Sequence, residues 1–418
     1  MVRCKLWIAG KSARHIIMLY GLTFLLILPL ICSNLQFSIY NFTSMDSKAG
    51  RDQMLKENQM RILEIQKKKH FIENTDILER MRNWTSPDLA ITIITTARNQ
   101  GADNYNPLYL TQVVWKMLWL IYEGQRNNIV DLKVSFSVCN VDGYPEVHKE
   151  AMDLTYFLYV NNKYQDKHDK SFKTWNIFEK EKQDYVYCLN SSLEQNPKFI
   201  LVVEDDSYPE DDLFIVLKTL ISSGTPVHKK HYGLSSKHGK QFKIGDSIYV
   251  KLFHPERLIG YISLEPDRLS ELFGISSLFG TVLLVVYRYT INKRIASESL
   301  YHRNVLWLSL FIYVALVVMA VGRPHLLKFR RLLSPHLYSF MSAPECCTPA
   351  MLFPHHGAQE VVEHLSSQSC YPSNGKDTVL DKYIKAKNKK AFIVQPNLFK
   401  HIGFFSSLRQ KFLNPYVV

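Results

Sequence analysis

The sequence predicts an α/β fold: a largely parallel sheet with helices between its strands, interrupted by a membrane-spanning helical hairpin and preceded by a single anchoring helix. Three observations predict it. Short β-branched runs alternate with helical patterns from Ala90 to Val203. Three uncharged apolar runs stand apart from an otherwise polar chain of 418 residues. Strand and helix patterns then resume after the last of those runs.

The chain begins with a basic tail, residues 1–15, holding Arg3, Lys5, Lys11 and Arg14 and no acid. Residues 16–33 follow as an apolar segment long enough to cross a bilayer, without a convincing small-residue cleavage site. They read as an uncleaved signal anchor with a cytosolic N-terminus. Residues 34–87 are polar, with Leu55, Ile62, Ile65, Ile72 and Leu78 at loosely helical spacing. They are expected to form a lumenal stem helix that holds a head off the membrane.

The head's first part occupies 88–271. Ala90 to Thr96 reads as a buried strand ending in the polar residues Thr95, Thr96 and Arg98. A helix is expected over 109–122, strands over 132–138 and 157–160, and a mainly helical stretch over 169–193. Phe199 to Val203 is short, continuous and apolar, which suits a strand covered on both faces. Residues 272–321 are expected to form the hairpin, with spans at 272–287 and 305–321. The second part of the head, 322–418, then contributes His355 and His356 before a helix, a helix after Gly375, and a strand leading to a loop with His401 and Gly403.

Loop charge orients these segments. Arg288, Lys293, Arg294 and Arg303 face a single acid, Glu298, between the two later spans, which assigns that loop to the cytosol and both large polar portions to the lumen. Arg323, Lys328, Arg330 and Arg331, just past the last span, run against this orientation. A pair of buried core helices is the competing reading of the hairpin. Glycosylation triplets at Asn41, Asn83 and Asn190 fall in the lumenal portions. So do Cys139, Cys188, Cys346, Cys347 and Cys370, whose pairing is open.

The formal charge of +13 raises nucleic acid as a partner. Basic residues flank the apolar segments instead, and no nucleic-acid motif or zinc spacing appears, so no nucleic-acid partner is expected. A phosphate-binding glycine loop and a nucleophile elbow are also missing, which argues against P-loop and dinucleotide enzymes and serine hydrolases.

Two acidic clusters, separated by three residues, remain. Glu210, Asp211 and Asp212 follow Pro209 and precede apolar residues at helical spacing, so they are expected in a helix's first turn. Glu204, Asp205 and Asp206 end the buried strand, where open α/β sheets place ligands. Carboxylates that close repel unless a cation offsets them. The candidate constellation is therefore Asp205 and Asp206 with His401 as metal ligands, Thr95 and Arg98 near a nucleotide, and Asp377 or Asp381 as general base. Each has a structural counterpart: a strand end for Thr95 and Thr96, a solvated loop histidine for His401, a helix cap for Asp377.

The stretches "ITIITTAR", "ILVVEDDSYPEDDL", "VKLFHPERLIGYISLE" and "QPNLFKHIGFFSSL", with the hairpin between them, resemble the Golgi GPI-glycan N-acetylgalactosaminyltransferases, the post-GPI-attachment family. The acidic strand and the last stretch are also similar to the N-acetylglucosaminyltransferase IV family, which lacks the hairpin. The first resemblance implies a GT-A type glycosyltransferase domain, inverting transfer from UDP-GalNAc with Mn²⁺, and an acceptor that is the first mannose of the glycan on GPI-anchored proteins. It implies a three-span protein of the Golgi membrane with a lumenal catalytic domain. Glu204, Asp205 and Asp206 would form the metal and donor motif, "EDD" where D-x-D is common, with Thr95, Thr96 and Arg98 on the donor side. His401 would complete the metal set and Asp377 would be the base, with Asp381 close enough to compete. A branching N-glycan transferase and a non-catalytic membrane protein on a transferase fold are the alternatives.

Overall fold

The computed structural model describes residues 2–41, 48–82, 86–98, 106–129, 131–164, 176–222, 244–261, 265–290, 300–406 and 411–412. The triplet at Asn83, part of that at Asn41, the hairpin loop residues Lys293, Arg294 and Glu298, and the start of the helix expected from residue 169 lie outside them. The chain divides into two compact units, one of residues 1–47 with 256–330, the other of 48–255 with 331–418.

Among its described residues the first unit holds three helices long and apolar enough to cross a membrane: Ser12–Cys32, Arg268–Thr290 and Leu300–Val321. Their own packing is of the membrane kind. Gly280 lets the second approach the third so closely that a Cβ there would lie 3.1 Å from the Phe311 backbone. Tyr20 donates to the Ser309 carbonyl at 2.8 Å, and Thr23 and Tyr313 share a hydroxyl contact at 2.8 Å.

The second unit is built on an eight-stranded sheet. Its strands are β1 (Leu89–Thr95), β2 (Val134–Asn140), β3 (Tyr159–Asn162), β4 (Phe199–Glu204), β6 (Tyr249–Lys251), β7 (Ser339–Ser342), β8 (Ala350–Pro354) and β9 (Ala391–Gln395). The spatial order is β3-β2-β1-β4-β8-β6-β9-β7. β8 and β7 run against the other six. Two short strands, β5 (Ser207–Pro209) and β10 (Phe399–His401), pair antiparallel outside this sheet, setting His401 opposite Ser207.

β4 explains the architecture. Ile200, Leu201, Val202 and Val203 are all fully buried. Leu201 and Val203 join the core containing Trp115 and Leu118 of helix Tyr109–Arg126. Ile200 and Val202 join the core on the opposite face, with Tyr185 of helix Ile177–Leu193 and Val361 of helix His355–Ser366. Layers on both faces are what a continuous apolar strand requires. A disulfide, Cys139–Cys188, ties β2 to helix Ile177–Leu193, and a second joins the neighbours Cys346 and Cys347, while Cys32 and Cys370 are free.

Several expectations are corrected. β2 and β3 each lie about two residues later than their patterns suggested, because amphipathic ends blur strand limits. The stem helix, Lys48–Glu73, is packed along helix Tyr109–Arg126 rather than standing free. Met54, Asn58, Ile65 and Ile72 form its buried face, and Arg61 donates to Gln112 at 2.9 Å. Pro209 belongs to β5, and helix Leu213–Ser222 has no acid in its first turn. Glu210, Asp211 and Asp212 precede that helix and serve as ion-pair partners: Lys116 holds Asp211, while Arg331 grips both oxygens of Asp212 at 2.5 and 2.6 Å. His355 already starts its helix and contacts the Pro197 carbonyl at 2.9 Å, at the end of β8 away from the acids. Gly357 is explained by packing alone, since a Cβ there would lie 2.1 Å from the Ile248 carbonyl oxygen.

Candidate active site

The candidate site lies where β1 and β4 end side by side. Glu204 is the last residue of β4, and Asp205 and Asp206 form the turn into β5. Backbone bonds fix that turn from three directions: Asp205 N to Ile94 O at 3.1 Å, Glu204 N to Pro349 O at 2.7 Å, and Ile402 N to Asp206 O at 2.8 Å. The acids are thus placed by residues remote in sequence.

The two aspartates have different surroundings. Asp205 is satisfied by protein: Arg98 bonds Oδ1 and Thr95 donates to Oδ2 at 2.7 Å. Thr95 has one hydroxyl proton, already committed to Asp205, so the 2.6 Å contact to His148 Nε2 makes the histidine the donor. Asp206 receives Arg98 Nη1 at 2.9 Å and lies 3.4 Å from His401 Nε2, both at Oδ2. Its other oxygen, Oδ1, is buried with no hydrogen-bond partner among the described residues, and so is His401 Nδ1. Buried polar atoms are otherwise almost always paired. These two mark a place for something the described residues do not supply.

Electrostatics follow the same division. Burial works against the Asp206 carboxylate, but Arg98 and then His401 outweigh it and hold the group well below the usual carboxylate range. Burial likewise opposes the His401 imidazolium, and Asp206 outweighs it, so that histidine titrates above its ordinary value. Burial pushes Glu204 up, with Lys376 pulling the other way at 3.5 Å; its side chain keeps 31% exposure, so water moderates the rise. Lys376 is itself buried between Glu204 and Glu181.

Space is as specific as charge. At Gly403 a Cβ would lie 2.1 Å from Asp206 Oδ2 and 3.1 Å from His401 Cε1. Only glycine leaves the two side chains where they are. Arg98 is steadied by donating to the Phe405 carbonyl at 3.0 Å and by lying over the Tyr109 ring at 5.4 Å.

Of the residues expected in the site, Thr95, Arg98, Asp205, Asp206 and His401 are brought into one connected network, with Glu204 beside it. Thr96 is drawn aside to Asp142 at 3.2 Å. Asp377, in the first turn of helix Lys376–Ala386, accepts from Cys347 N at 2.7 Å and Thr348 Oγ1 at 3.4 Å, on the segment that enters β8 beside the end of β4. That segment is pinned by Lys251, which donates to the carbonyls of Pro344, Cys346 and Glu345 at 2.7, 2.9 and 3.2 Å. Asp381 sits one turn on, paired with Lys385 at 2.6 Å.

His148, Lys376 and Lys251 went unnoticed in the sequence. A lone histidine before a short helix and two lysines among 51 basic residues carry no local signal.

A divalent cation was expected on Asp205, Asp206 and His401. The geometry favours Asp206 and His401, each with a free buried donor, over Asp205, whose oxygens are taken. A tighter donor cluster, Cys346, Cys347 and Asp377, lies within 4.8 Å, but its sulfurs are bonded to each other and offer no thiolate.

The family model described as GPI-N-acetylgalactosamine transferase PGAP4 matches residues 89–400. The chain belongs to that family. The PGAP4 match opens at the first residue of β1 and runs through the acidic turn, the two later membrane helices and Asp377, stopping one residue short of His401. Membership in PGAP4 makes the chain a glycosyltransferase directed at the GPI glycan, and so a user of a nucleotide-sugar donor.

Proposed function

We propose that this protein transfers N-acetylgalactosamine from UDP-GalNAc to the first mannose of the glycan on GPI-anchored proteins, by an inverting, metal-dependent reaction at the lumenal face of the Golgi membrane. One observation carries the reading: the buried Asp206–His401 pair, with an unpartnered donor on each residue, at the carboxyl end of a parallel strand.

In this reading Asp206 and His401 hold Mn²⁺, which when bound supplies positive charge to the donor's phosphates. Arg98 offsets the two aspartates and keeps Asp206 ionised and oriented. Thr95, held by His148, fixes Asp205 so that Arg98 cannot swing away. Asp377 takes the proton from the attacking acceptor hydroxyl, and the hydrogen bonds from Cys347 and Thr348 set its direction. Asp381 is the weaker candidate for that role, because Lys385 occupies it.

An acceptor carried by lipid and an enzyme with apolar helices share one surface, and this lowers the entropic cost of their encounter. The lumenal orientation draws support from the basic N-terminal tail and the disulfides. Arg323, Lys328, Arg330 and Arg331, the basic residues after Val321 that run against it, each have an acidic partner.

The test is UDP release by the purified, detergent-solubilised protein with Mn²⁺ and a GPI-core mannose acceptor, comparing UDP-GalNAc with UDP-GlcNAc. Turnover with UDP-GalNAc alone, abolished by chelator, is expected. Turnover with UDP-GlcNAc instead would favour the N-glycan branching reading, and none with either in folded protein would favour a binding role.

A further inference from the structure

Helix Arg323–Leu333 has its amphipathic faces the wrong way round for a helix in water. At 100° per residue, Leu326, Phe329, Leu332 and Leu333 fall within an arc of about 120°, while Arg323, Lys328, Arg330 and Arg331 occupy the remainder. A helix at an aqueous surface buries the first arc and exposes the second. Here the reverse holds. Phe329, Leu332 and Leu333 are 57, 81 and 66% exposed.

The basic arc, by contrast, is turned to partners. Arg323 meets Glu271 at 2.8 Å, Lys328 meets Glu256 at 2.9 Å, Arg330 meets Glu271 at 3.2 Å, and Arg331 meets Asp212 at 2.5 Å. Four cations facing acids and three large apolar side chains facing outward require a medium that is not water on the outer side.

Two further facts identify that medium. The helix starts immediately after Gly322, whose φ of +95° turns the chain at the end of the apolar helix Leu300–Val321. Its first residue is therefore tied to the end of a span. The apolar arc also begins at Leu326, which packs against the buried Val314 and Val318 of that span and Tyr261, so the exposed Phe329, Leu332 and Leu333 follow on from a side chain seated on the span.

We infer that helix Arg323–Leu333 lies in the surface of the bilayer as an interfacial helix, with Phe329, Leu332 and Leu333 among the acyl chains. Its occupant is lipid. Because the basic side chains are already paired, the insertion is driven by apolar burial, and it does not require anionic headgroups.

The experiment uses the full chain in lipid nanodiscs, with Cys4→Ser to remove an N-terminal thiol and a spin label introduced by Leu332→Cys, Phe329→Cys or, as an aqueous reference, Lys387→Cys. Labels at 332 and 329 are expected to be reached by oxygen several-fold more than by a water-soluble nickel chelate, with the opposite preference at 387. That preference is expected to be the same in purely zwitterionic and in partly anionic bilayers. Nickel access at 332 and 329 equal to that at 387 would overturn the inference. Shielding from both reagents would also overturn it, since a protein surface would then be the cover. A preference seen only with anionic lipid would replace apolar insertion with headgroup docking. Measuring two sites guards against one label disturbing the helix.

Discussion

Two acidic triplets, Glu204-Asp205-Asp206 and Glu210-Asp211-Asp212, are identical in residue type and lie on either side of the same three-residue strand. Their environments divide them completely. The second triplet is used up in ion pairs with Lys116 and Arg331, and Asp211 remains 86% exposed. In the first, Asp206 is buried, shares Arg98 with Asp205, and keeps one oxygen without a partner among the described residues. Carboxylates become candidates for chemistry through what is left unsatisfied around them, and their number in a row says little.

The comparison breaks most clearly at its strongest point. Asp206→Asn keeps the side-chain shape and removes the charge, and is expected to lower transfer by about a thousandfold or more in protein that still unfolds cooperatively. Asp211→Asn should leave turnover unchanged; equal losses from the two would erase the distinction drawn between the triplets.

Gly403→Ala comes next. The added methyl meets Asp206 Oδ2, so the carboxylate or the loop must move, and turnover is expected to drop roughly ten- to a hundredfold. Gly245→Ala, with nothing among the described residues within 4 Å, is the matched control and should be neutral in the same assay.

Asp212→Ala tests the other triplet. It removes a two-point bond from a partly buried Arg331, and a stability loss of about 1 to 3 kcal/mol is expected in denaturant titration. Activity per folded molecule should not change. A loss of activity without a loss of stability would assign this triplet to the chemistry after all.

A third acid sharpens the contrast from outside both triplets. Glu150 accepts from Thr111 N and Oγ1 at 2.9 and 2.8 Å, and no ion pair to it is found among the described residues. Burial pushes it up to about 7, against the pull of those hydrogen bonds. A carboxyl raised in the fold contributes stability fully below its unfolded value near 4.5 and loses that contribution as pH climbs through 7. Glu150→Gln should therefore flatten the stability profile between those values. The effect is expected to be on the order of 1 kcal/mol, because Glu150 also lines a cavity of about 220 Å³ that admits water. An unchanged profile would show the group to be hydrated and ordinary.

What the sequence made legible follows from locality. The run Phe199 to Val203 announced a doubly covered strand because five apolar residues in succession have few other uses. The membrane helices were equally plain, being long and uncharged. β5 was not, since its partner among the described residues, β10, lies about two hundred residues on, and its proline reads locally as a helix start. The site was half legible for the same reason. Asp206 and His401 carry chemistry in their side chains and could be guessed, whereas the assignment of Asp205 to Arg98 and Thr95, and of Thr95 to His148, is made by contacts across 107, 110 and 53 residues. The inverted helix was visible only as a basic run on an unexpected side. Its acids had to be located before the charge made sense.

The position of β8 has a consequence for synthesis. β4 pairs β1 on one edge and β8 on the other, yet β8 is translated only after both later membrane helices. At roughly 5 to 20 residues per second, the open edge of β4, with Asp205 and Asp206 at its tip, waits for something like ten to thirty seconds before its neighbour emerges. His401 is later still. For that interval the newborn chain carries an apolar strand edge and an acidic turn without their partners. The nascent protein should therefore depend on chaperones until the residues beyond Val321 have emerged, and the sheet cannot be completed before both apolar helices have been made.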